Sequence, residues 1–461
     1  MRPVLTVSEM NAVDSAARQS TPLDVPVGRA GRAVAVVALD MLGGTYGRRV
    51  VVVAGRGNNG ADGRVAAAYL SRRGARVCVL GAGGVTEVGP ADLVIDAAYG
   101  TGFHGEYHPP GLRPGTPVLA VDIPSGVDGD TGDAGGSPWA AGRTVTFVAL
   151  KPGLLQGEGA RLAGEVSVVD IGLPAGHPPI SVMEDADIVA LVPPRRHGGN
   201  KWSAAVLVVA GSPGMTGAAA LCARSAYRSG AGMVRLGVPG GDPAEAPASE
   251  AVSVDLRGPE WSAEALEAAG RCSAVVVGPG LGRHPSTAAE VRRLVARSPV
   301  PVVLDADGLF ALGMLGADHP PPAGSTLVLT PHDGEYRRLM DTEPGTDRIG
   351  AARRLATASG AVSLLKGPTT AVAAPDGQVL LATAGTTALA TAGSGDVLSG
   401  VIGAFIARGI APLEAAAVGA HVHGRAGGRG AVEGLVAGDL PQLVADVLSG
   451  ARSPSTGGGR G

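Results

Sequence analysis

Short apolar runs alternate with amphipathic stretches and glycine-rich turns twice along the chain, with a proline-rich gap between the two series. In the first half the runs Arg49 to Ala54, Ala75 to Leu80, Leu93 to Ala97, Val118 to Ile123, Thr144 to Ala149 and Val166 to Ile171 suit strands buried on both faces. Amphipathic segments such as Asp62 to Arg73 lie between several of them, so a doubly wound α/β sheet is predicted. The second half repeats the alternation. Strands are predicted at Ala205 to Ala210, Met233 to Val238, Ala274 to Val277, Val300 to Asp305, Thr326 to Thr330, Val362 to Lys366 and Val379 to Ala382. Helices are predicted at Met215 to Ser229, Ser286 to Arg297, Arg348 to Ser359, Gly395 to Arg408 and Pro412 to His423. The segment GLPAGHPP, Gly172 to Pro179, reads as a linker, which gives expected domains 1–178 and 183–450. Residues 451–461 have the composition of a disordered tail, and no repeat relates the two halves.

Composition narrows the function classes. A length of 461 residues exceeds one ordinary core, in keeping with two domains. No apolar run approaches the ~20 residues that span a bilayer, and the N-terminus reads as an amphipathic helix without a secretory pattern. No membrane partner and a cytoplasmic location are therefore expected. The three cysteines, Cys78, Cys222 and Cys272, are scattered in apolar surroundings and are expected to fill the core. A net charge of −3 with dispersed basic residues, and 3% aromatic residues, argue against nucleic acid as a partner. The 74 glycines cluster at strand-to-helix junctions, where a backbone must approach a ligand closely.

The first such junction is GRGNNGADG, Gly55 to Gly63, after a strand and opening a helix. Free amides at a helix N-terminus favour phosphate, and two asparagines with Asp62 are more polar groups than a plain turn needs. DAAYGTGFHGE, Asp96 to Glu106, and AVDIPSGVDGDTG, Ala120 to Gly132, each place a carboxylate at a strand's C-terminal end, where open α/β sheets gather ligands. In the second half TAGSGDVLSGVIGAF, Thr391 to Phe405, sets Asp396 in a run of small residues at a helix start. That pattern forms an anion hole with a proton acceptor inside it, as phosphoryl transfer requires. The loops AGSPGMTGAAAL, GPGLG, LDADGL, TPHDGE and KGPTT each follow a predicted strand. His421 and His423 lie two apart on one helix and face different sides, which argues against a shared metal.

Over residues 1 to 175 these motifs resemble the YjeF N-terminal domain family, the NAD(P)H-hydrate epimerases, a Rossmann-like three-layer α/β/α fold. The resemblance implies substrate contacts from Asn58, Asn59, Gly60, Ala61 and Asp62, from Gly100, Thr101, Gly102, Phe103, His104, Gly105 and Glu106, and from Asp122, which is the choice for acid/base work. It also implies a potassium ion held by Asn59, Asp96 and Ser125, and hard oxygen ligands suit such a cation. Arg56 and Ala61 depart from the family's usual proline and glycine, and the helix at Val27 to Gly31 lacks its usual Met-Glu or Met-Asn pair.

Over residues 183 to about 448 the chain resembles the ribokinase-like superfamily, and within it the ADP- or ATP-dependent NAD(P)H-hydrate dehydratases, favoured by TPHDGE and HGGNKW. By that resemblance Ala218, Gly280, His332 and Asp396 meet the hydrated nucleotide, and Lys366, Gly367, Pro368, Thr369, Thr370 and Gly395 hold the adenine nucleotide. Ala392 and Ser394 stand where the family commonly has glycine and threonine. Together the resemblances imply a bifunctional enzyme, an isomerase joined to a lyase, that acts on NADHX and NADPHX with ADP or ATP, Mg2+ and K+, and a homo-oligomer is expected. ADP is favoured by resemblance, and the residues themselves leave ADP against ATP open. The rival expectation is a ribokinase-type small-molecule kinase fused to a non-catalytic YjeF-like binding module, which a stable phosphorylated product with no dinucleotide consumed would support; catalytic Asp396 belongs to the main reading.

Overall fold

A computed structural model describes residues 1–19, 22–194, 200–242, 245, 250–315 and 326–452. Most of the expected tail, and the first three residues of the HGGNKW segment, therefore lie outside the described residues. The chain divides into two compact units, Arg2–Ile180 and Ser181–Gly461, the latter with Met1. Among the described residues no helix is long and apolar enough to cross a membrane.

The smaller unit holds six parallel strands: β1 (Arg49–Ala54), β2 (Arg76–Gly81), β3 (Leu93–Ala97), β4 (Val118–Val121), β5 (Arg143–Phe147) and β6 (Glu165–Val169). They lie in the order β2-β1-β3-β4-β5-β6, so the chain reverses direction across the sheet between β1 and β3. In a doubly wound sheet that reversal opens a crevice at the strands' carboxyl ends. Strands β3 and β4 are buried along their whole length, one face against helices and the other against loop residues such as Phe103, Tyr107 and Trp139. Helices Asp24–Leu42 and Asn58–Arg72 cover one face through Ala30, Val34, Ala38, Ala66 and Leu70. The helix after β1 begins at Asn58, so the two asparagines form its first turn. Cys78 corrects the expectation of a core cysteine: it lies on β2, paired on one side only at the sheet edge, and is exposed.

Nine strands of the larger unit are β7 (Ala205–Val209), β8 (Met233–Gly237), β9 (Val252–Val254), β10 (Ala274–Val277), β11 (Val302–Leu304), β12 (Leu327–Leu329), β13 (Val362–Leu365), β14 (Thr370–Ala373) and β15 (Val379–Ala382). Their order is β15-β14-β13-β12-β11-β10-β7-β8-β9, parallel from β13 to β9 and antiparallel beyond. Here the reversal falls between β10 and β7. Helix Ser394–Ala407 is buried from Val397 to Ala407, as a stretch that is apolar except for Ser399 requires. A Cβ on its Gly400 would sit 2.2 Å from the Cys222 carbonyl oxygen, so this glycine lets the helix close on helix Thr216–Arg228. That packing fixes where its N-terminus points. The KGPTT segment is a turn only in part, because Thr370 already starts β14.

Candidate active sites

In the smaller unit two glycines bring the first loops together. A Cβ at Gly55 would lie 1.9 Å from the Ala98 carbonyl oxygen, and one at Gly60 would lie 2.0 Å from that of Gly55. No other residue permits so close an approach. The loop after β1 thus sits against the loop after β3, and Asn59 locks both to β4, its amide nitrogen donating to Tyr99 O at 2.8 Å and Val121 O at 2.9 Å. Asp96 ends β3 fully buried and accepts from the Ser125 amide at 2.9 Å and the Ser125 hydroxyl at 2.6 Å. Its partners are all neutral, and burial pushes its carboxyl up from the usual range. Asn59 and Ser125 both donate to Tyr99 O, and Ser125 donates to Asp96, so the three residues adjoin around a buried carboxyl that has no cationic partner among the described residues.

Asp122 follows β4 in the left-handed region at φ 66°, a strained geometry for a residue with a side chain. Its amide donates to Val145 O at 2.6 Å, and Oδ1 accepts from Lys151 Nζ at 2.6 Å and Thr146 Oγ1 at 2.9 Å. Lys151, only 1% exposed, also donates to Thr146 Oγ1 and Phe147 O. Sequence reasoning missed Lys151 and Thr146. The available signal was a lysine directly after an apolar strand, since a buried ammonium needs a carboxylate.

Asp122 and Lys151 line a cavity of about 970 Å³. Asn58, Asn59, Asp62, Gly100 to Phe103 and Asp122 form its wall together with Asp14 and Asn11 of the N-terminal helix. Gly60 and Ala61 are not among the lining residues, and His104, Gly105 and Glu106 are exposed outside it, with Glu106 3.6 Å from His108. Asp62 is 7% exposed, and burial, reinforced by Asp122 and Asp14, pushes its carboxyl up to about 8.

In the larger unit the carboxyl ends of β11, β12 and β13 deliver Asp305, Thr330 and Lys366 to one point. Asp305 is buried, and its oxygens accept from Lys366 Nζ at 2.8 Å, Thr330 Oγ1 at 2.8 Å and Ser399 Oγ at 2.7 Å. Helix Ser394–Ala407 aims its first turn here: a Cβ on Gly395 would lie 3.4 Å from Lys366 Nζ. Among the described residues the amides of Gly395 and Asp396 have no acceptor, whereas those of Ser394 and Val397 bond to Thr391 O and Gly393 O. Asp396 is half-buried and joins no salt bridge among the described residues. Burial first, then Asp305, raise its carboxyl to about 7, while Lys366 works in the opposite direction.

The other expected residues fall around this point. Gly280 and Ala218 adjoin, 3.1 Å from a Cβ on the former to that of the latter, at the β7–β10 reversal, where Ser212 Oγ donates to Gly280 O at 2.9 Å. His332 caps helix Asp333–Met340, its Nδ1 accepting from the Gly334 and Glu335 amides. The Glu335 carboxylate lies 3.8 Å from Lys366 Nζ, so His332 is tied indirectly to the Lys366 cluster. Gly367 packs on Arg348, whose guanidinium donates to Lys366 O at 2.6 Å. His421 bonds Asp185 at 2.9 Å while His423 is buried near Ser394, so the two histidines do serve different neighbours. Sequence reasoning singled out the loops carrying Asp305 and Glu335 but neither residue, nor Thr330 and Ser399, whose pairing is visible only in three dimensions.

Comparison with known proteins agrees with both halves. Residues 206–449 match the NAD(P)H-hydrate dehydratase family, and residues 26–86 and 82–153 match the YjeF-related protein N-terminus. A bifunctional NAD(P)H-hydrate repair enzyme of Salinibacter ruber is 38% identical over 97% of this chain and 96% of its own. One of Mycobacterium leprae is 38% identical over 98% and 99%. Among solved structures, the ADP/ATP-dependent NAD(P)H-hydrate dehydratase of Bacillus subtilis, co-crystallised with ATP and Mg2+, aligns over 58% of this chain and 97% of its own, with 27% identity and a TM-score of 0.51. Buried carboxylates at strand ends, a free-amide helix start beside Asp396 and similarity along nearly the full length lead to one assignment: the chain belongs to the family of bifunctional NAD(P)H-hydrate repair enzymes.

Proposed function

We propose that the smaller unit interconverts the R and S epimers of NADHX and NADPHX, and that the larger unit dehydrates the S form to NADH or NADPH at the expense of ADP, giving AMP and phosphate. The observation that carries the reading is Asp396 beside the two unpaired amides of the helix start, with the Lys366 ammonium at its mouth. In the second step Asp396 takes the proton of the substrate hydroxyl as its oxygen attacks the terminal phosphoryl, and the Gly395 and Asp396 amides receive the charge that develops on the phosphoryl oxygens. The oxygen then departs as phosphate, the adjacent ring carbon gives up a proton and the double bond returns.

Mg2+, carried on the nucleotide phosphates, neutralises part of their charge when bound. No group of three or more His, Cys, Asp or Glu ligands is assembled among the described residues, which suits an ion held mainly by phosphates. Asn59, Asp96 and Ser125 would hold K+, whose charge would offset that of the buried Asp96 carboxylate. Ala218, Gly280 and His332 are assigned to the hydrated nucleotide, and Lys366 to Thr370 with Gly395 to ADP. Purified protein given S-NADPHX, Mg2+ and ADP is expected to restore reduced-nicotinamide absorbance. A stable phosphorylated dinucleotide in place of NADPH would defeat the reading.

A further inference from the structure

The smaller unit's cavity holds two carboxyl groups in opposite circumstances. Asp122 is the anionic half of an ion pair, 2.6 Å from Lys151 Nζ, with a further hydroxyl donor from Thr146. Asp62, on the helix after β1, is 7% exposed, lines the same cavity and makes no hydrogen bond or ion pair among the described residues. A carboxylate buried without a donor is costly, so such a group keeps its proton. The charged groups around it agree. Asp122 and Asp14 face it and disfavour a further negative charge. Lys151 is spent on Asp122, Arg64 donates to Gly55 O at 2.8 Å, Arg18 acts on Asp14, and Arg56 lies elsewhere on the cavity wall.

The reaction calls for such a pair. The hydrated carbon bears a hydroxyl and the ring nitrogen, and the nitrogen lone pair expels the oxygen readily only when it leaves as water. Inversion then requires a second water to add from the opposite face and lose a proton. We infer that Asp62 and Asp122 divide this work: Asp62, as a neutral carboxylic acid, protonates the departing hydroxyl, and the Asp122 carboxylate, paired with Lys151, takes a proton from the water that returns on the other face. The C–O bond breaks as the C=N+ bond forms, water adds as that bond reverts, and one proton has moved from Asp62 to Asp122. Solvent in the cavity returns it between turnovers. The division rests on the epimerase reading above and assigns Asp62 a catalytic role where family resemblance implies contact alone. It also accounts for a carboxyl that remains protonated at neutral pH, since burial pushes Asp62 up to about 8.

The test uses the full chain with ADP omitted, so that dehydration is idle, and follows R and S epimers by chromatography across pH. Wild type is expected to exceed the buffer rate and to lose activity above about pH 8 as Asp62 ionises. Asp62→Asn is expected to slow epimerisation by about 100-fold or more and to lack that basic limb, while dehydration of the S form by the larger unit, with ADP added, continues. Epimerisation by Asp62→Asn at the wild-type rate overturns the division of labour. A wild-type rate that holds steady well above pH 8 overturns it too, independently of any variant's folding. Wild type no faster than buffer sinks the epimerase reading itself, which is a different failure.

Discussion

Asp396 is useful only without its proton, and its carboxyl stands at about 7 in the protein without substrate. The kcat/KM for dehydration is therefore expected to fall as pH drops through about 7, because protonation removes the base. Lys366 pulls that carboxyl down, so Lys366→Met is expected to move the limb to higher pH, measurable in the same pH–rate profile. The same change leaves Asp305 buried without its cation and is expected to cost about 3–5 kcal/mol in denaturant unfolding of the larger unit. At this scale the sequence was half legible. Asp96, Asp122 and Asp396 each follow an apolar strand or a glycine-rich turn, and their position alone marks them. Lys151, Thr146, Thr330 and Ser399 act through pairings that join distant segments, which no local pattern encodes.

Elements were easier to read than their edges. Arg49–Ala54, Leu93–Ala97 and Arg348–Ser359 stand where the hydrophobic pattern predicts them, whereas the helix whose amphipathic stretch reads from Asp62 already begins at Asn58. The reason is packing: Gly60 must be in the helix to lie against Gly55. Gly60→Ala is accordingly expected to destabilise the smaller unit by about 1–3 kcal/mol and to abolish epimerisation, since a Cβ would have to displace backbone. Dehydration of the S epimer in the same preparation is expected to continue. Loss of both activities together would contradict the assignment of one reaction to each unit. Strand Thr370–Ala373 went unread because KGPTT has the composition of a turn, and only its antiparallel pairing with both neighbours reveals it.

For the molecule as a whole, two sheets each reverse direction at one point; the smaller unit gathers its carboxyl groups at the strand ends beside that reversal, the larger at the ends of β11 to β13. The sequence carried this much through its two series of buried runs; what it lacked was the protonation state of groups whose neighbours come from other strands. That state has a consequence for folding. Asp62 keeps its proton in the native protein up to about 8 and loses it near the ordinary carboxylate range when unfolded. The smaller unit is therefore expected to lose stability as pH rises between those limits, by about 1.4 kcal/mol per pH unit for this one proton. Asp62→Asn is expected to flatten that slope and to raise Tm at neutral pH, as thermal melts across pH would register.

The most direct measurement is a stoichiometric one on the full chain: S-NADPHX, Mg2+ and limiting ADP, with NADPH absorbance and released phosphate followed together. One NADPH and one phosphate are expected per ADP consumed, and Asp396→Asn is expected to lower the rate by about 100-fold or more. Formation of NADPH without nucleotide consumption, or an undiminished rate in Asp396→Asn, would contradict phosphoryl transfer at the free-amide end of helix Ser394–Ala407.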